Sequence, residues 1–286
     1  MFKTESIEKL VKYAIISGYL KRDIAPVSLM LIAKPEHNKT SILKSFENVK
    51  NVMYTTDLSG KPLIEFLKIA DREKYYHLIV PDFIKVVAHN RVTAFSTVTT
   101  LNAMIEEGVQ KSMYYGQEIH LTHNVKCGLI TSITPDLYRQ QFKQWNDIGF
   151  LSRFIPISYE YSDATRFSIM SMIGGNGHES LDTELEKIKR AGQKDIHISA
   201  DVAAGIQLFV DDLVGKLNKY EVQMWAGQTR YKVKMNIQGF RMHKQLRLLS
   251  KAIAFDKGLN EVNYECVAEL RGLIDYITTP DRPKMV

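Results

Sequence analysis

The tightest constraint on the fold lies between residues 26 and 46. Val27-Ser28-Leu29-Met30-Leu31-Ile32 runs without a charge between Pro26 on one side and Lys34-Pro35 on the other. A run this short, bounded by breakers, suits a strand buried on both faces. A loop follows at 33–40, and residues 41–46 read as the start of a helix. Strand, loop and helix in that order belong to a sheet whose connections cross over one of its faces. Comparable strand patterns recur at 51–57, 75–80, 125–130 and 154–159, with helical patterns between them, notably at 91–107. The chain is therefore expected to be α/β, with a parallel sheet covered by helices.

Other segments complete the outline. Residues 6–20 repeat apolar positions at helical spacing, with Ser6 as a cap. Residues 114–121 read as a hairpin turning near Gly116-Gln117. After about Asp163 the strand patterns stop. Residues 171–177 are glycine-rich and read as a loop, and helices are expected at 181–191, 199–220, 240–254 and 262–277. The domain reading is an N-terminal helix at 1–25, an α/β core at 26–165 and a helical lid at 166–286.

The loop carries chemistry. Ala33-Lys34-Pro35-Glu36-His37-Asn38-Lys39-Thr40 follows the phosphate-binding pattern G-x-x-x-x-G-K-[ST] with both glycines replaced. Such a loop wraps backbone N–H groups around phosphate oxygens. Asn38 tolerates a positive φ better than most residues, Ala33 costs little where φ is negative, and Pro35 removes one donor. Lys39 would neutralise phosphate, the Thr40 hydroxyl would hold Mg²⁺, and Asn38 and Ser41 complete the candidate cradle. Either the chain binds ATP through an unusual loop, or it descends from a protein that did.

Two later segments extend the pattern. Tyr75-Tyr76-His77-Leu78-Ile79-Val80-Pro81-Asp82 resembles a Walker B strand, whose aspartate reaches Mg²⁺, but Phe83 stands where a water-activating glutamate is usual. Ile148-Gly149-Phe150-Leu151-Ser152-Arg153-Phe154 resembles the arginine-finger segment of AAA+ ATPases, the minichromosome maintenance (MCM) helicases above all. The helix ending at Gly108, the hairpin and the strand leading to Thr134-Pro135 are similar to the MCM pre-sensor hairpin and sensor 1. Residues 241–252 resemble the lid helix that carries sensor 2.

The resemblance implies a P-loop AAA+ core followed by a helical lid, with ATP and Mg²⁺ as cofactors. It assigns Mg²⁺ to Thr40 and Asp82, water positioning to Thr134, a finger acting on a neighbouring subunit to Arg153, and sensor 2 to Arg241. It implies an MCM-like ATP-binding protein acting on DNA in replication or mobile-element maintenance, as a homo-oligomer or ring. Single-stranded DNA would meet the hairpin region through Lys111, Tyr115 and Lys126. The substitutions at Ala33, Asn38, Phe83 and Thr134 imply a weak, helicase-like ATPase. The alternative is a non-hydrolysing AAA+ relative serving as a DNA-binding or structural assembly factor.

Charge and composition bound these readings. A net charge of +6 permits nucleic-acid contact without demonstrating it. No apolar stretch is long enough to span a bilayer, and the N-terminus makes a poor secretory signal. The two cysteines, Cys127 and Cys266, have no CxxC spacing, which fits a reducing cytoplasm. His120 and His123 lack further partners at metal-ligand spacing, and Cys127 reads as core. Glu106-Glu107 reads as a solvated helix end, with a displaced catalytic carboxylate as the other reading. The stretch from Tyr220 through Trp225 to Lys234 reads as lid core flanked by lysines, with a nucleic-acid contact as the other reading.

Overall fold

The computed structural model describes residues 4–21, 24–58, 61–114, 117–173, 194–218 and 239–286. Its centre is a parallel sheet of six strands in the order β2-β3-β6-β1-β7-β8. These strands are β1 (Ser28–Ile32), β2 (Val52–Tyr54), β3 (His77–Val80), β6 (Gly128–Ile133), β7 (Phe154–Glu160) and β8 (Lys284–Met285). Every residue of β1, β3 and β6 is buried, as expected of central strands covered on both faces. β1 lies between β6 and β7, with Leu29 opposite Ile130 on one side and Ile155 on the other.

Helices α2 (Lys39–Lys44), α3 (Lys61–Glu73), α4 (Ile84–Val87), α5 (Arg91–Glu106) and α6 (Pro135–Asp147) connect the strands. Asn90 caps α5 by accepting from Thr93 N at 2.9 Å, and Thr134 caps α6 ahead of Pro135. The hairpin of β4 (Val109–Tyr114) and β5 (Gln117–Val125) projects from this framework, pairing Tyr114 with Gln117. Asp71 on α3 anchors it, accepting from Thr122 N at 2.7 Å and His123 N at 2.8 Å. Tyr115 and Gly116, at the expected turn, lie outside the described residues.

Later in the chain come α7 (Asp163–Ile173), α8 (Ala200–Asn218), α9 (Phe240–Asp256) and α10 (Tyr264–Ile274). The first helix, α1 (Glu5–Ile16), packs with α9 and α10 as well as with β1. Its Lys12 pairs with Asp256 at 3.0 Å, and the Tyr13 hydroxyl donates to Glu269.

Three local expectations are corrected. The strand expected at 125–130 runs at 128–133 instead. Its far end carries Thr131 and Ser132, polar by type but buried, whose hydroxyls donate to Val80 O at 2.7 Å and Pro81 O at 2.5 Å. Strands do not stop at Asp163, because β8 pairs with β7, Tyr159 opposite Lys284. Residues 171–173, expected in a loop, close α7. The helix expected at 181–191 and the stretch from Tyr220 to Lys234 lie outside the described residues.

Candidate functional site

In a parallel sheet all strands end on the same edge, and ligands bind outside those carboxyl ends. β3, β6 and β1 are neighbours, so the residues that follow them converge. Asp82 follows β3, Thr134 follows β6 and the 33–40 loop follows β1. Together they line a cavity of about 470 Å³ that includes Asn38, Lys39, Thr40, Ser41, Asp82 and Thr134. Six site residues separated by up to about a hundred positions in sequence thus share one pocket.

The loop takes its shape without glycine. Asn38 has φ 57° and ψ 13°, the left-handed conformation that the second glycine of the pattern would supply, and Glu36 also has a positive φ of 63°. Ala33 does not have positive φ, and it is buried with its N–H donating to Ile133 O at 3.3 Å. Asparagine is among the residues that enter the left-handed region at least cost.

Side chains from the end of β7 hold the loop in place. The Tyr159 hydroxyl donates to His37 O at 2.6 Å, and Lys34 pairs with Glu160. Burial pushes the Tyr159 phenol well up, so it stays a neutral donor. The hydrogen bond from Lys34 holds the Glu160 carboxyl below its ordinary value, with Arg166 nearby adding to the effect. The His37 ring is buried and stacks on Tyr161, with centroids 4.5 Å apart and planes 7° from parallel. Its Nδ1 lies 2.9 Å from Pro35 O, a carbonyl that can only accept, so Nδ1 carries the proton. Burial lowers the His37 pKa and keeps the ring neutral. Sequence reasoning missed His37, because neither spacing nor residue type announces a histidine that props a loop.

Lys39 is half-buried, and its ammonium donates to Ala33 O at 2.5 Å and Lys34 O at 2.6 Å. It forms no ion pair among the described residues. Burial lowers its pKa to about 8, opposed by the nearby Asp82 carboxylate. A desolvated ammonium satisfied only by carbonyl dipoles is poised to accept an anion. Asp82 is exposed and its Oδ1 accepts from Ile84 N at 3.1 Å. The Thr134 hydroxyl, on the pocket wall, also accepts from Leu137 N at 3.4 Å as the cap of α6.

Phe83 turns the other way. It is fully buried, with ring centroids 5.4 Å from Trp145 and 5.8 Å from Phe150. The backbone after Asp82 therefore directs this side chain into the core, and its N–H donates to Ser132 O at 2.9 Å.

Arg153 and Arg241 do not line this pocket. They meet instead at Glu106, at the end of α5. Arg153 Nε lies 2.6 Å from Glu106 Oε2, within ion-pair range but out of line for a hydrogen bond. Arg241 Nε donates to Glu106 Oε1 at 2.8 Å, and its Nη1 donates to Ser152 Oγ at 3.0 Å. The Gln245 amide donates to Arg153 O at 2.7 Å, tying α9 to the segment around Arg153. Glu106 is thus no solvated helix end: its side chain is one-third exposed and shared by two guanidiniums. The arginines border a second cavity of about 250 Å³ with Lys126 and Lys244, which shares no residue with the first.

Of the DNA-binding candidates, Lys111 is exposed on β4 opposite His120, while Lys126 stands at the foot of the hairpin beside the arginines. Tyr115 lies outside the described residues. Cys127 and Cys266 are both buried, and neither forms a disulfide; the Cys127 thiol donates to Tyr75 O at 3.1 Å. No helix among the described residues is long and apolar enough to cross a membrane. Compared with protein-family models and with curated proteins, the chain matches none.

Proposed function

We propose that this chain is an MCM-like AAA+ ATP-binding protein that acts on DNA as an oligomer, in replication or mobile-element maintenance, and turns ATP over slowly. The observation that carries the reading is the shared pocket of the 33–40 loop, Asp82 and Thr134, with the half-buried Lys39 ammonium facing it. The residues present fit a nucleotide triphosphate. Asn38 supplies the left-handed turn, and Lys39 lacks an anionic partner of its own among the described residues. Mg²⁺ would arrive with the phosphates and take Thr40 and Asp82 as protein ligands.

In the oligomer of this reading, Arg153 and Arg241, which border a cavity separate from the loop, would serve a nucleotide bound to a neighbouring copy. Phe83 supports slow turnover: the usual general base is absent, a group typically worth roughly 10²–10⁴-fold. The same residue favours a second reading, a non-hydrolysing AAA+ relative that assembles on DNA.

A fluorescent ATP analogue titrated into wild type and Lys39→Ala tests the first reading. Binding by wild type, weakened tenfold or more by the substitution, is expected. Wild type that binds no nucleotide overturns it. Hydrolysis measured with and without single-stranded DNA separates the two readings, since turnover abolished by Lys39→Ala excludes the non-hydrolysing one.

A further inference from the structure

One face of α9 carries a row of cations, Lys244 exposed and Arg247 and Lys251 half-buried, that neither the proposed nucleotide pocket nor the hairpin uses. Lys244, Arg247 and Lys251 stand three, then four residues apart, which puts them on one side of the helix. The opposite side, including Leu246, Leu249 and Ile253, is buried. The row lines an open groove of about 480 Å³, with Lys21 across from it. The groove joins the arginine cavity, because Ile24 and Lys244 border both, and so reaches Lys126 at the foot of the hairpin.

Charge in the groove is poorly balanced. Asp195 is the acid that lines it among the described residues, and it sits 3.7 Å from Lys21. Lys126, Lys244, Arg247 and Lys251 form no ion pair with a described residue. The three on α9 repel one another, and an anion lying along them relieves that repulsion.

We propose that this groove binds a nucleic-acid backbone, giving the protein a phosphate track on α9 separate from the hairpin. The spacing suits such a ligand. The seven steps of helix from Lys244 to Lys251 rise about 10 Å, the axial length over which one strand of a duplex carries about three phosphates. A concave row follows a strand better than it meets a flat anionic bilayer. The inference rests on the reading that the protein acts on DNA, and extends it to a surface of its own.

The test measures binding of a fluorescein-labelled 20-nucleotide single strand over a range of KCl concentrations. Removing three phosphate contacts lowers the slope of log affinity against log salt by about 2, at roughly 0.7 per contact for single strands. Lys244→Ala/Arg247→Ala/Lys251→Ala should show that drop and bind tenfold or more weakly at low salt. Lys244→Ala alone removes one exposed side chain and should lower the slope by about 0.7 without disturbing the fold, as circular dichroism checks. Lys68→Ala, on the exposed face of α3, should change neither quantity. Wild-type affinity and slope in the triple variant overturn the proposal. If Lys111→Ala abolishes binding at the same time, the action on DNA stands and the track alone falls. Binding to phosphatidylserine vesicles with none to the oligonucleotide also overturns it.

Discussion

On the proposed reading, Lys39 should make nucleotide affinity a steep function of pH in a range where a surface lysine would show none. Burial lowers its pKa to about 8 in the free protein. Phosphate favours the charged ammonium and raises that pKa again, so binding takes up a proton wherever Lys39 is neutral beforehand. Affinity is therefore fully present well below pH 8 and falls as pH rises through it. From a free pKa of about 8, roughly three-quarters of the molecules carry the charge at pH 7.5 and roughly 3% at pH 9.5, which predicts a fall of about 25-fold in affinity. The free protein shows the opposite sign. Its folded-state pKa lies below the unfolded value of 10.5, so the unfolded chain binds more protons between about pH 8 and 10.5 and stability rises across that window. The assay is a titration of a fluorescent ATP analogue at half-unit steps from pH 7.5 to 9.5, with melting curves of the free protein alongside. Lys39→Arg, charged throughout, should flatten the binding profile. A flat wild-type profile, in a protein whose Lys39→Met variant still binds more weakly, would refute the reasoning, because the ammonium would then matter without being desolvated.

Three further outcomes follow from the packing. Phe83→Glu places the usual water-activating residue in an aromatic core, so it should unfold the protein at least as readily as Phe83→Ala, which costs about 3–5 kcal/mol in urea melts, and should yield no faster ATPase. Asn38→Ala should destabilise by about 1 kcal/mol, since the position is left-handed, whereas Asn38→Gly should be neutral or slightly stabilising; thermal melts distinguish the two. Asp71→Asn weakens the anchor of the hairpin, and hydrogen exchange should quicken at the Thr122 and His123 amides. Burial raises the Asp71 pKa, but the hydrogen bonds from Thr122 and His123 outweigh it and lower the value overall, so in wild type the same loss should appear only as pH falls through that depressed pKa, below 3.8.

The central strands were legible because burial on both faces leaves an uninterrupted apolar run, as at Leu29 to Ile32 and Leu78 to Val80. β6 was misplaced by three residues because Thr131 and Ser132 satisfy their hydroxyls on Val80 and Pro81, a solution that residue type alone conceals. β8 is two residues long, too short for any period to show. The shared pocket was legible through order: a loop, an aspartate and a threonine, each after an apolar strand, must meet at one edge of a parallel sheet. The convergence of Arg153 and Arg241 on Glu106 was not, because Glu106 and Arg241 stand 135 positions apart and no local spacing announces their meeting. Nor did the sequence announce that Phe83 faces the core, since its neighbour Asp82 is exposed.

The pairing of β8 with β7 makes the 33–40 loop answerable to a distant part of the chain. The loop leans on Tyr159, Glu160 and Tyr161, and the carbonyl of Glu160 in turn accepts from Val286 N at 3.0 Å. Tyr159 and Glu160 pair with Lys284 and Met285 on the other side of their strand. A change that frees residues 284–286 would therefore loosen the backbone that braces the loop without touching the loop itself.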